Sequence, residues 1–215
     1  SENSTFSPNF VWIKNRDATD AHALFDTVRG ATEVLSTNST AAEATNADTL
    51  TAFESDGFAL GDDVIVNTNA ESYVAWQWNE GATPGFDIVS YSGTGANRTV
   101  AHNLGVKPGM FIIKQRGAAS TNWGVYHSAV GATKSLFLQS TGAAVDSAEY
   151  FNDTEPTASV FTLGTNAQGN ADGGTYIAYV FAPVEGFSAF GSYEGNGSTN
   201  GPMVNLGFRP AFVMM

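Results

Sequence analysis

Cysteine is missing from all 215 residues, which removes disulfide scaffolds, thiolate zinc sites and cysteine nucleophiles and leaves packing as the source of stability. Charge is also scarce. Asp, Glu, Lys and Arg make up 14% of the chain, against about 25% in ordinary soluble domains. The basic share is the smaller one: 9 Lys+Arg face 21 Asp+Glu, a formal charge of -12 with a pI near 4.4. Such a field repels phosphate backbones and anionic lipid, so nucleic acid is not an expected partner. No run approaches the roughly 20 apolar residues of a spanning helix, so membrane insertion is not expected. Residues Ser1 to Phe10 lack the basic-then-apolar order of a signal peptide.

What is present suits β-sheet. Hydrophobic residues are 42% and aromatics 12% of the chain, enough for one large or two small packed domains. The 23 glycines and the many Ser, Thr and Asn residues favour tight turns.

The sequence also contains itself. Pro8-Asn9-Phe10-Val11-Trp12-Ile13-Lys14-Asn15-Arg16 aligns with Pro108-Gly109-Met110-Phe111-Ile112-Ile113-Lys114-Gln115-Arg116, 100 residues on, and a third copy opens at Arg209-Pro210-Ala211-Phe212. Gly30-Ala31-Thr32 returns as Gly131-Ala132-Thr133, Phe58-Ala59-Leu60-Gly61 as Phe161-Thr162-Leu163-Gly164, and Tyr73-Val74-Ala75-Trp76 as Tyr176-Ile177-Ala178-Tyr179. Gly85-Phe86 through Tyr91 is answered by Gly186-Phe187 through Tyr193. Co-linear matches whose offsets drift only from 100 to 103 indicate tandem units of about 100 residues.

Within each unit, runs of four to six β-branched and aromatic residues lie between Gly, Pro, Asn and Asp: Val11 to Lys14, Tyr73 to Trp78, Phe86 to Tyr91, Phe111 to Lys114, Leu136 to Leu138 and Tyr176 to Phe181. In Tyr73 to Trp78 the aromatics fall on both faces, so both faces should meet core or partner. Only Thr40 to Phe53 offers a helical turn or two. The expected fold is therefore all-β: tandem duplicated antiparallel β-sandwich units, jelly-roll-like. Residues 1–84 form a first unit lacking its opening strands, 85–185 a complete second unit, and 186–215 the opening strands of a further one. Either the chain is a slice of a longer array, or 186–215 folds back to complete the first unit.

The blocks Phe10 to Asp17, Leu24-Phe25-Asp26-Thr27-Val28-Arg29-Gly30-Ala31-Thr32, Leu50 to Leu60, and Tyr91-Ser92-Gly93-Thr94-Gly95 followed by Leu104 to Pro108 together resemble a repeated β-rich domain of unknown function found in marine phage and cyanophage virion proteins. The resemblance covers nearly the whole chain. It implies a place in the virion, in a tail, fibre or decoration protein, and it brings no catalytic residues.

Candidate chemistry is thin. His22, His102 and His127 show no metal-ligand spacing, and no metal is assigned to them. Ser128 beside His127, and Ser90 with Asp87, lack a nucleophile elbow. The acid pairs Asp62-Asp63, Asp146-Glu149 and Asp153-Glu155 suit solvated turns better than the two facing carboxylates of a glycosidase. Asn166 to Gly174, rich in hard oxygen donors, is the one loop considered for calcium, and the first unit lacks it in this form; its spacing matches no calcium motif. Glycine runs at Gly93 and Gly195 are turns rather than phosphate loops. Six of the nine basic residues, Lys14, Arg16, Lys107, Lys114, Arg116 and Arg209, gather beside one repeated strand. They either neutralise acids within a unit or at the unit junction, or form an intersubunit strip. The five Asn-x-Ser/Thr sequons at Asn3, Asn38, Asn97, Asn152 and Asn196 follow from composition.

The expectation is thus a non-enzymatic virion structural protein, with no catalytic site, no cofactor and no bound metal. It would be a homo-oligomer, or bind other virion proteins. The competing reading is a carbohydrate-binding, receptor-binding module that stacks a host surface glycan on Trp76, Trp78, Trp123 or Tyr126.

Overall fold

The computed structural model describes residues 6–215. Strand makes up 36% and helix 6%, and every pairing is antiparallel. In the first part of the chain come β1 (Phe10–Asn15), β2 (Ala23–Asp26), β3 (Gly30–Ser36), β4 (Ala44–Thr45), β5 (Leu50–Glu54), β6 (Gly57–Leu60), the single turn α1 (Val64–Asn67) and β7 (Tyr73–Trp78). The second part holds β8 (Phe86–Ser92), β9 (Arg98–Ala101), β10 (Met110–Gln115), β11 (Gly124–His127), β12 (Lys134–Phe137), β13 (Val145–Asp146), α2 (Ala148–Phe151), β14 (Val160–Leu163), α3 (Ala167–Asn170) and β15 (Thr175–Phe181).

These strands build a five-stranded sheet in the order β4-β3-β2-β1-β7, a six-stranded sheet β13-β12-β11-β10-β15-β8, and two hairpin-sized sheets, β5-β6 and β14-β9. That is a different partition from the paired four-stranded sheets of a jelly roll. The two large sheets stack face to face. Phe10, Leu24 and Leu35 from one meet Phe86, Ile88, Met110, Ile112, Val125, Ile177 and Tyr179 from the other. Their outer faces are covered as well. Val11, Ile13 and Phe25 pack under the β5-β6 hairpin and α1, while Phe111, Ile113, Tyr126, Tyr176 and Val180 pack under β9, β14 and α2. Alternate residues of β1, β10 and β15 thus enter different cores, as a period of two requires. It also explains why these strands are apolar almost throughout rather than alternating.

Local hydrogen bonding recurs between the two halves. Ile13 lies opposite Ala23 and Ala75, as Ile113 lies opposite Gly124 and Ala178. Asp63 caps α1 by accepting from the Ile65 amide, and Asn166, 103 residues on, caps α3 through Gln168. The Tyr73 hydroxyl donates to the Val64 carbonyl and accepts from the Thr68 amide; the Tyr176 hydroxyl does the same with Ala167 and Ala171. Gly61 and Gly164 press equally close to backbone, since a Cβ would sit 2.3 Å from the Asp48 carbonyl oxygen or 2.3 Å from that of Glu149.

One expectation about local structure needs correction. Thr40 to Phe53 forms no helical turn. Ala44 and Thr45 pair with Val34 and Glu33, Leu50 to Glu54 is strand, and between them the Asn46 side chain accepts from the Asp48 amide, a local bond that competes with helix. The helical turns lie instead where an Asp, Ser or Asn cap precedes them. The backbone of Asn166 to Gly174 nevertheless has a counterpart in the first half, because Asp63 to Glu71 follows the same path, a capped single turn and then a positive φ at Ala70 as at Gly173.

Residues 186–215, expected to supply opening strands, contain none. Phe187, Tyr193, Met203, Val213 and Met215 are exposed. Phe212 nonetheless reaches the first half, with its ring 5.5 Å from Trp76, 5.6 Å from Trp78 and 6.5 Å from Trp12.

Candidate functional site

The most densely wired polar region lies between the two large sheets. Asp26 ends β2, where its Oδ1 accepts from the Val28 and Arg29 amides at 3.0 and 2.9 Å. That turn swings the Arg29 side chain back under the sheet, with no exposure left to either side chain. Arg29 donates Nε to Asp26, Nη2 to the Leu24 carbonyl at 2.9 Å, and Nη1 both to the Glu33 carbonyl at 2.8 Å and to Glu43 at 2.9 Å. The second half closes the network from two directions. Tyr179 donates its hydroxyl to Asp26 at 2.7 Å, and Arg116 grips Glu43 through Nε and Nη2, the latter at 2.7 Å. Burial works against the Arg29 charge, but the carboxylates of Asp26 and Glu43 hold it protonated above its ordinary range. Burial also pushes the Glu43 carboxyl up, and the guanidinium groups of Arg116 and Arg29 more than offset this, leaving it below the usual carboxylate range.

A second carboxylate pair borders this seam. Asp87, buried, accepts from the Asn103 amide at 2.7 Å. Glu80 accepts from the Ile88 amide at 3.3 Å. Its carboxyl is raised, first by burial, then by the hydrogen bond with Asp87 and the like charges of Asp87 and Asp26. The folded protein therefore holds the Glu80 proton to a higher pH than the unfolded chain. This contribution to stability is present at low pH and is lost as pH rises through the folded pKa. Glu80→Gln keeps the acceptor and removes the repulsion, so it is expected to melt higher than the parent near pH 7 and level with it near pH 4. Calorimetry across that range checks this; a variant that melts lower at neutral pH contradicts it.

The residues singled out in the sequence are placed apart. His102 is buried and bonds the Thr157 carbonyl and Leu104 amide; His22 and His127 lie elsewhere, both held below the usual histidine range first by burial. Among the described residues no three His, Asp or Glu side chains converge as a metal site. Ser90 and Asp87 sit three apart on β8 and point to opposite faces. Asp63 is spent on its cap and on Asn46, and Glu155 on Lys107, Tyr126 and the Ala132 amide. Asp62, Asp146, Glu149 and Asp153 are exposed. In the loop considered for calcium, the Asn166 and Asn170 oxygens already accept from the Gln168 and Thr94 amides.

The basic residues divide. Lys14 donates to the Asn15 and Ala18 carbonyls, Lys107 pairs with Glu155, Arg16 and Arg209 are exposed, and Arg116 crosses between the halves. Lys114 crosses too. Fully buried, it donates to the Thr121 carbonyl and hydroxyl at 2.8 Å and to the Thr40 carbonyl at 3.3 Å, and burial brings it down to about 8. Trp123 and Tyr126 are fully buried, so neither is a stacking platform. The seam itself was legible in the sequence only as the Phe-Asp-Thr-Val-Arg-Gly block; nothing there tied it to Glu43 or Tyr179. One small cavity of about 10 Å³, bounded by Ile113, Ser135, Phe151 and Gln168, has room for about one water; the buried Gln168 Oε1 has no hydrogen-bond partner among the described residues.

Fold and site together define an all-β protein of stacked antiparallel sheets whose polar centre is a closed ion-pair lock. The chain belongs to the DUF7483 family, a domain of unknown function, whose model matches residues 2–215. No curated protein and no solved structure matches it.

Proposed function

We propose that the chain is a non-enzymatic structural module of a phage virion, in a fibre, tail or capsid-decoration protein, built from duplicated sandwich units and acting through assembly. The carrying observation is the contrast between a sealed interior and unfinished margins. Buried Asp26 and Arg29 pair with each other and are closed over from the second half by Tyr179 and, through Glu43, by Arg116, whereas among the described residues β7 ends its sheet with one neighbour and residues 186–215 carry exposed Phe187, Tyr193, Met203 and Val213 with no strand partner. Exposed apolar surface beside an open strand edge suits a surface that other chains cover. The hydrogen bonds that recur 103 residues apart support the duplication. The glycan reading is less favoured, because Trp123 and Tyr126 are core and Trp76 and Trp78 pack against Phe212.

Immunogold microscopy with an antibody to the chain tests the reading on particles released from cells that carry its gene. Regular label on intact virions is the expected result. Label confined to the soluble fraction, together with glycan hydrolysis by the purified protein, overturns it.

A further inference from the structure

The two edges that ought to correspond in the large sheets differ. In the second half the outer edge of β15 is covered over its full length by β8, from Phe86 opposite Phe181 to Ser92 opposite Thr175. In the first half β7 occupies the same place, pairing with β1 in the register that β15 uses with β10. Yet among the described residues no strand lies beyond it. The Arg16 amide bonds the Ser72 carbonyl, which fixes the alternation: Val74, Trp76 and Trp78 turn their backbone groups to β1, and Tyr73, Ala75 and Gln77 turn theirs outward. Gln77 also carries a buried side-chain Oε1 with no hydrogen-bond partner among the described residues.

The chain holds a segment of the matching type. Gly186-Phe187 through Tyr193 answers Gly85-Phe86 through Tyr91 in sequence. Gly85 and Gly186 share a positive φ, +71° and +73°, so the backbone turns alike before each. After its turn, β8 pairs not with β7, which precedes it, but with β15 of the following unit. By the same path the segment after β15 is aimed at the β7-type strand of another unit. In its own chain it stays beside the second half, where Phe190 packs against His127.

We propose that the outer edge of β7 accepts residues 187–193 of a second copy of the chain, so that copies join head to tail by strand addition. This deepens the assembly reading and rests on it. With β8 as template, Phe187 falls opposite Trp78, as Phe86 lies opposite Phe181 with rings 4.7 Å apart, and Ser188 falls opposite Gln77, where its hydroxyl exchanges the Ala182 carbonyl it bonds in its own chain for the Gln77 Oε1. Main-chain bonds supply the affinity and the Phe187–Trp78 contact the register, since Tyr193 stands one residue further from Phe187 than Tyr91 does from Phe86.

The test uses the full chain and a synthetic peptide of residues 185–197. At a peptide concentration about ten times its Kd, the amides of Tyr73, Ala75 and Gln77 should exchange about tenfold more slowly, with Val74 and Trp76 unchanged. The same peptide in excess should abolish concentration-dependent sedimentation of the chain. A Phe190→Pro peptide, lacking an N–H in the middle of the added strand, should do neither. Equal protection by the proline peptide, unchanged exchange, or edge amides already slow in dilute monomer, which means closure within one chain, each overturns the proposal. Virion label that persists alongside any of these outcomes leaves the assembly reading standing and removes strand addition alone.

Discussion

Arg29→Met is expected to lower the unfolding free energy by about 3–5 kcal/mol, the cost of leaving a buried ion without its partner. In a domain of this size that is a fall in melting temperature of roughly 6–20 °C. Methionine replaces most of the apolar stem, so little of the loss comes from packing. It comes from Asp26, which keeps the Val28 and Arg29 amides and the Tyr179 hydroxyl but loses the cation facing Oδ2. Glu43 keeps Arg116 and is less affected. Adding Asp26→Asn removes the stranded charge, and the double variant is expected to be more stable than Arg29→Met alone. A double-mutant cycle read by calorimetry or denaturant melts gives the coupling. The pair is fully buried, so the loss should change little with added salt. Additive effects, or a loss that vanishes in high salt, would mean that the pair does not act as a buried unit.

Much of the architecture was legible because the same residues are repeated. Pro8 to Arg16 and Pro108 to Arg116 predicted equivalent strands, and β1 and β10 sit in equivalent registers between equivalent neighbours. The aromatics on both faces of Tyr73 to Trp78 predicted contact on both faces, and Trp78 does enter the core between the sheets while Tyr73 and Ala75 enter the one beneath the β5-β6 hairpin. What stayed hidden was the pairing between halves. Sequence periodicity gives which face a residue takes, and two sheets with the same apolar face can stack in many ways. Trp78 and Phe181, which correspond in the repeat, touch each other at 6.1 Å, but no local pattern announces that contact. The seam was hidden for the same reason: Asp26, Glu43, Arg116 and Tyr179 lie on four separate segments, and each looks like an ordinary turn or strand residue. The helical turn or two expected within Thr40 to Phe53 failed differently. Alanine propensity amounts to only a few tenths of a kcal/mol per residue, and pairing with β3 together with the Asn46 turn outweighs it.

Trp123 makes the junction between the halves testable without touching a charge. Its ring is fully buried among the residues that line the stacked sheets, and its Nε1 donates across the junction to the Ser36 and Ser39 carbonyls at 3.2 and 3.0 Å. The same loop of the first half, continuing through Thr40 to Glu43, meets Lys114 and Arg116, so the indole and the two cations hold one segment against the second half. Trp123→Ala should cost about 3–5 kcal/mol through the cavity it leaves and through two carbonyls that lose their donor. Trp123→Phe keeps most of the apolar volume and removes only the donor, so about 1–3 kcal/mol is expected. The two variants should also differ in where they act. With Phe, the loosened loop should speed hydrogen exchange at the Glu43 amide, which bonds the Arg116 carbonyl at 2.9 Å, while the amides of β15 stay protected. With Ala, the collapse of the shared core should reach β15 as well, since Tyr179 and Ile177 pack in the same cluster. A Trp123→Phe protein as unstable as Trp123→Ala, or one in which Glu43 exchange is unchanged, would remove the indole donor from the account of how the halves are joined.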